Sequence, residues 1–146
     1  MRPGGGWQTT LGFDLEGKTL GILGLGNLGA KVGRIGAAFG MNLIAWSENL
    51  TAERARERGA ERVDKDELFK RSDILSINSV LSPRTRGIVG ARELALMKPT
   101  ALLINTSRGP IVDEAALLAA LKDKRIAGYG ADTFEVEPLP SNHPLR

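Results

Sequence analysis

Three groups of residues in this 146-residue chain have types and spacings that suit chemistry. The first is Gly24-Leu25-Gly26-Asn27-Leu28-Gly29, a G-x-G-x-x-G pattern. Alone it is weak in a chain with 18 glycines, but it lies between an apolar run, Lys18 to Gly24, and a stretch of helical periodicity. In that setting Gly24 permits a tight turn, Gly26 lets a pyrophosphate approach the backbone, and Gly29 lets helix and strand pack closely. The first N–H groups of the helix and its positive end would then hold the diphosphate. A plain strand–helix turn with packing glycines is the alternative. The second group is Ser47 and Glu48, at the end of the next apolar run, where an acid about 20 residues past the loop would bind the adenosine ribose. Ser47 carries no charge to repel a 2′-phosphate and Arg54 is close by in sequence, whereas Glu48 suits a free ribose. NAD is therefore expected, with NADP left open. The third is Arg108, just past the run Ala101 to Asn105. A guanidinium there can clamp a carboxylate with two hydrogen bonds and polarise a neighbouring carbonyl, or simply cover a sheet edge.

The elements that must position these residues follow from periodicity. Strands are predicted at Lys18 to Gly24, Asn42 to Trp46, Arg62–Val63, Asp73 to Asn78, Ala101 to Asn105 and Ala127 to Ala131. Helices are predicted at Asn27 to Phe39, from Thr51 to Gly59, Asp64 to Arg71, Ala91 to Met97, and from Asp113 to about Asp123. In the first helix Leu28, Val32, Ile35 and Phe39 share one face. Glu135 to Arg146 holds three of the seven prolines and reads as open loop. Near-continuous apolar strands alternating with helices predict an α/β fold, a doubly wound parallel sheet covered on both faces, in a single domain.

Composition narrows the function classes. There are no cysteines and one histidine, His143, so no metal site is expected. The net charge of +3 is dispersed: the dense stretch Glu53 to Arg71 alternates in sign, and no basic stripe interleaved with aromatics exists, so no nucleic acid is expected. The longest apolar run, Ala115 to Leu121, is seven residues, so no membrane span is expected and a cytoplasmic location is.

Four stretches give this pattern a family likeness. Trp7 to Gly29 (WQTTLGFDLEGKTLGILGLGNLG), Asp73 to Gly87 (DILSINSVLSPRTRG), Met97 to Ala120 (MKPTALLINTSRGPIVDEAALLAA) and Ala127 to Pro144 (AGYGADTFEVEPLPSNHP) resemble, in order and spacing, the cofactor-binding part of the D-isomer-specific 2-hydroxyacid dehydrogenases. The resemblance implies a Rossmann fold and hydride transfer between NAD(P)(H) and a 2-hydroxy or 2-keto acid. It implies that Arg108 binds the substrate carboxylate and keto oxygen, and that Glu137 bonds a catalytic histidine. Asn27 and Leu28 would meet the diphosphate through their backbone, Val80 would line the adenine side, and Thr85 would bond near the phosphates or ribose. Thr106, with Ser107 beside it, and Asp132 would hold the nicotinamide end. By themselves Asp132 reads equally as a strand-end cap, Thr85 as a turn residue and Glu137 as a solvated loop acid. It also implies a homodimer for the full-length protein.

Departures matter too. Ser47 replaces the usual aspartate, Asn78 stands where a histidine is common, and Tyr129-Gly130 replaces a more apolar pair. The family's Thr-Pro-His segment and its substrate-covering domain have no counterpart here. His143 matches a different, "HPL"-like loop. Residues 1–16 are thus expected to be a lead-in or hinge, and 17–146 a dinucleotide-binding domain incomplete at its C-terminus, binding cofactor but inactive by itself. A dinucleotide-sensing module of corepressor type and a non-catalytic dimerisation domain are the alternatives.

Overall fold

The computed structural model describes residues 12–146. The chain alternates β1 (Thr19–Leu23), α1 (Asn27–Ala38), β2 (Asn42–Trp46), α2 (Ala52–Glu57), β3 (Glu61–Arg62), α3 (Lys65–Arg71), β4 (Ile74–Ile77), α4 (Ala91–Leu96), β5 (Leu102–Asn105), a 3-10 turn (Gly109–Ile111), α5 (Glu114–Lys122) and β6 (Gly128–Ala131). The six strands form one parallel sheet in the order β3-β2-β1-β4-β5-β6. The order reverses between β1 and β4, so the crevice beyond their carboxyl ends is the expected ligand position. Most of the sequence-predicted lead-in lies outside the described residues. Glu135 to Arg146 forms turns and loop without helix or strand. No helix of the described residues is long and apolar enough to cross a membrane.

Strand side chains alternate between two apolar layers. Leu20, Ile22, Leu43 and Ala45 meet Met41, Leu50 and Ala55 on one face. Leu23, Ile44, Leu75, Ile77 and Leu103 meet Phe69, Leu94, Met97 and Leu117 on the other. Cover is uneven, in contrast to the expectation of a sheet buried on both sides. On the first face Leu102 and Ile104 are only half-buried, because α1 and α2 sit over the β1–β2 half. Two N-caps match the sequence reading: Thr51 Oγ1 accepts the Arg54 N–H, and Asp113 Oδ1 accepts the Ala116 N–H.

The apolar stripe of α1 lies mostly outside: Leu28, Ile35 and Phe39 are 69%, 61% and 59% exposed, and Val32 alone of the four packs against the core. The buried face is Gly29, Gly33 and Gly36. A Cβ on Gly29 would lie 2.2 Å from the Gly24 carbonyl oxygen, and one on Gly36 2.5 Å from Leu20 Cδ2. Here α1 lies so close to β1 that only hydrogen fits between them, which sets the helix N-terminus directly above the strand end.

Candidate functional site

The loops at the carboxyl ends of β1, β2, β4, β5 and β6, with the first turn of α1, carry all the predicted site residues. The glycine loop comes first. Gly24 has φ of +101° and its missing Cβ would sit 2.7 Å from the Ser79 nitrogen, so glycine is required for both conformation and space. Gly29 is required by the close helix–strand contact. Gly26 differs: its φ of −82° suits any residue and a Cβ there would meet nothing within 4 Å. Protein packing does not demand this glycine, but a ligand lying against the backbone would. Gly26 is the N-cap of α1, no side chain caps the helix, and its first turn holds no acid. Asn27 and Leu28 are exposed there. The unopposed N–H groups and positive dipole end suit a diphosphate.

From Gly24 and Gly26 a cleft of about 480 Å³ runs between the β2 end and the β4–α4 loop, past Ser47, Glu48, Arg54, Arg58, Ser79, Val80, Arg84 and Thr85. It is the right size for part of a dinucleotide. Val80 is 82% exposed, an apolar surface on which a base can lie. Ser47 is in the cleft, but its Oγ accepts the Leu25 N–H at 3.0 Å and so holds the glycine loop. Thr85 also lines the cleft, yet its hydroxyl works inside its own loop, donating to the Val80 carbonyl and accepting the Ser82 N–H, both at 2.7 Å. Glu48 is exposed at the rim.

The second half of the site lies at the ends of β5 and β6. Thr106 and Asp132 are the residues one place past the paired Asn105 and Ala131, and both are exposed. The Arg108 side chain is exposed, with Nη1 donating to the Ser107 carbonyl. Glu137 Oε1 accepts the Phe134 N–H at 2.9 Å and the Thr133 hydroxyl at 2.8 Å. The Phe134 N–H and then the Thr133 hydroxyl hold its carboxyl below the usual range, with a smaller contribution from the Arg108 charge. The structure thus brings a guanidinium and a hydrogen-bonded carboxylate together beyond the ends of β5 and β6. Oε2 of Glu137 has no hydrogen-bond partner among the described residues and can accept an N–H.

Five residues that position this site carry no obvious sequence signal of their own. Asn105 is fully buried; its Nδ2 donates to the Arg108 carbonyl and its Oδ1 accepts the Ser107 N–H, which shapes the turn that presents Arg108. A Cβ on Gly109 would lie 2.0 Å from the Phe134 carbonyl carbon, so the Glu137 loop crosses directly over it. Ser79 donates to the Leu23 carbonyl and its own carbonyl accepts the Ser107 hydroxyl, tying three strand ends together. Arg58 Nη1 donates to the Leu25 carbonyl at 2.5 Å, and Arg84 faces it across the cleft. Asx-turn chemistry at Asn105 and the glycine after Arg108 were the available hints.

His143 lies away from this arrangement. Its Nδ1 accepts the Leu145 N–H at 3.3 Å within the terminal loop, and its Nε2 bonds Glu114 Oε1 at 3.1 Å, tying that loop to α5. No group of three potential metal ligands occurs among the described residues. A larger groove of about 750 Å³ between α5 and β6 is lined mainly by apolar residues such as Leu118, Tyr129, Phe134 and Leu145, with Lys122 its one charged group. It holds none of the predicted site residues.

Comparison with known proteins agrees with this geometry. The family model described as D-isomer specific 2-hydroxyacid dehydrogenase, NAD binding domain, matches residues 2–146. A glyoxylate reductase of Aeropyrum pernix is 50% identical over 142 residues, covering 96% of this chain and 42% of the relative. The crystal structure of a glyoxylate reductase from Paecilomyes thermophila superposes with a TM-score of 0.84 at 46% identity, covering 92% of this chain and 41% of that one. A D-isomer specific 2-hydroxyacid dehydrogenase from Lactobacillus delbrueckii ssp. bulgaricus, in its NAD complexed form, does so with a TM-score of 0.76 at 35% identity over 84% of this chain and 39% of that one. The chain spans about two-fifths of the length of these relatives.

Proposed function

The chain belongs to the D-isomer specific 2-hydroxyacid dehydrogenase family, matching its NAD binding domain, and from that premise we propose that residues 17–146 hold a nicotinamide dinucleotide for oxidoreduction of a small 2-hydroxy or 2-keto acid. Residues 1–16 are the lead-in to that unit. The observation that carries the reading is Gly26: a glycine with open space where its side chain would be, at the uncapped start of α1 and at the mouth of the 480 Å³ cleft. A dinucleotide held there by its diphosphate would supply or accept the hydride through its nicotinamide. Arg108 clamps the substrate carboxylate and draws electron density from the keto oxygen. Asn105 and the Ser107–Ser79 bond fix where that guanidinium starts. Glu137, kept ionised by the Phe134 N–H and Thr133 hydroxyl, holds the N–H of an acid–base partner through Oε2 and stabilises its protonated form. His143 does not fill that place, being bonded to Glu114.

The test is fluorescence titration of the 146-residue chain with reduced nicotinamide dinucleotide, followed by addition of glyoxylate. Saturable binding without turnover is expected, because the chain's one histidine is committed elsewhere. Absence of binding to any dinucleotide refutes the reading, and measurable turnover refutes the account of the acid–base group. The exposed stripe of Leu28, Ile35 and Phe39 on α1 favours a second element of the proposal, pairing with another copy of this chain. Sedimentation analysis of the parent and of Ile35→Lys with Phe39→Lys tests it; a monomeric parent overturns it.

A further inference from the structure

The adenosine end of the cleft is the most cationic feature of the site. Arg54 and Arg58 are one turn apart on and just after α2, and Arg84 comes from the β4–α4 loop on the opposite wall; all three line the same space. One carboxylate, Glu48, lines it with them. Arg54 and Arg84 are exposed, and neither side chain has an ion-pair partner among the described residues, whereas Arg71, Arg86 and Arg92 each have one. Arg58 is held in place by its bond to the Leu25 carbonyl. Ser47 occupies the position from which an acidic side chain ordinarily binds the ribose 2′-hydroxyl and repels a phosphate on it. Its oxygen already accepts the Leu25 N–H, which leaves the ribose without that carboxylate and without its repulsion.

We propose that this end of the cleft takes a ribose 2′-phosphate, contacted by Arg54 and Arg84 beside the anchored Arg58, so that the chain binds NADP(H) in preference to NAD(H). The proposal rests on the dinucleotide reading above and adds the identity of the cofactor. Guanidinium groups form paired, charge-assisted hydrogen bonds with phosphate oxygens, and three around one dianion outweigh a single exposed carboxylate. The sequence sets Arg54 beside Ser47 and favours NAD with NADP left open; the fold adds Arg58 and Arg84 to the same space.

The experiment is calorimetric titration of the 146-residue chain with NADPH, NADH, 2′,5′-ADP and 5′-ADP, repeated on Arg54→Ala and Arg84→Ala. NADPH is expected to bind at least about tenfold tighter than NADH, and 2′,5′-ADP tighter than 5′-ADP by a similar factor. Each arginine variant should weaken NADPH about tenfold more than it weakens NADH. Both side chains are exposed, and circular dichroism checks that the variants stay folded. If NADH binds as tightly as NADPH, this proposal fails while the dinucleotide reading stands. If the variants weaken both cofactors equally, the 2′-phosphate site is wrong. If no dinucleotide binds, both readings fail.

Discussion

Replacing Gly26 and Gly29 separately by alanine should split cofactor binding from stability. The two positions are three residues apart in one motif, yet the structure gives them opposite surroundings. A Cβ on Gly29 would lie 2.2 Å from the Gly24 carbonyl oxygen and 3.0 Å from Ile22 Cγ2. The nearest obstacle is backbone, so α1 must move off β1 by about 1 Å to restore normal contact, loosening the Ile22 packing. Overpacking of this kind costs about 1–3 kcal/mol, which for a chain of this size lowers the melting temperature by roughly 3–9 °C. A Cβ on Gly26 meets nothing within 4 Å and its φ of −82° is ordinary. The small loss from alanine at an N-cap and the small gain from stiffening the unfolded chain roughly offset each other, so stability should stay within about 0.5 kcal/mol of the parent. The new methyl instead occupies the approach of the diphosphate, and dinucleotide affinity should fall at least about tenfold, about 1.4 kcal/mol. Thermal melts by circular dichroism and calorimetric titration with NADH and NADPH measure both quantities. A Gly26→Ala chain that binds as well as the parent would refute the placement of the diphosphate. A Gly29→Ala chain as stable as the parent would refute the packing argument.

Other outcomes follow from single contacts. Gly109→Ala should push the Phe134 segment away and let the Glu137 carboxyl rise toward its ordinary range, readable by NMR titration of that carboxyl; an unmoved titration contradicts the proposed crossing of the two loops. Asn105→Leu removes the acceptor of the Ser107 N–H and the donor to the Arg108 carbonyl, and a loss of about 1–3 kcal/mol in urea unfolding is expected, since buried polar groups are left unpaired. Burial of Asp73 works against its charge, but the Lys98 ammonium and the Thr19 N–H outweigh it and hold the carboxyl below its usual range. A group depressed in this way confers stability that is present above its unfolded pKa and is lost as pH falls through the folded one. Lys98→Met should therefore cost about 0.5–1 kcal/mol at neutral pH, and the difference from the parent should shrink on acidification below the carboxylate range. A gap that widens with acid would reverse the assigned sign.

The sheet and its helices were legible because most strands lie in apolar runs, with helical periodicity between them, and Thr51 and Asp113 mark two helix starts. The predicted and observed elements coincide to within one or two residues at most ends. Orientation of α1 was not legible from apolar spacing. Leu28, Val32, Ile35 and Phe39 have helical period, but so do Gly29, Gly33 and Gly36, and it is the glycines that face the sheet. Close approach of α1 to β1 selects the smallest residues for the buried face, so of the larger stripe only Val32 reaches the core. The glycine loop and Arg108 are marked in the sequence by motif and strand end, whereas Glu137 is picked out only by the family resemblance. Ser79 and Gly109 could not be read there, since each acts through a contact between segments 24 to 56 residues apart, and Arg84 shares a cleft with Arg54 and Arg58 only once the strands pair.

Those cross-sheet contacts also explain why the two halves of the site keep a fixed separation. Beyond the last main-chain pairing of β1, β4 and β5, Ser79 Oγ donates to the Leu23 carbonyl and the Ser107 hydroxyl donates to the Ser79 carbonyl. Gly24, at the head of the phosphate loop, leaves no room for a Cβ against Ser79. Asn105 then fixes the turn between Ser107 and Arg108 from its buried place in β5. Reach from the diphosphate cradle to the arginine thus passes through short bonds and one close backbone contact, with no freely rotating linker until the Arg108 side chain itself. Hydride transfer needs the nicotinamide and the substrate carbon held within a few tenths of an ångström of a productive distance. In the proposed function the backbone would carry that precision, and the exposed Arg108 guanidinium would supply the remaining adjustment on closing over a carboxylate.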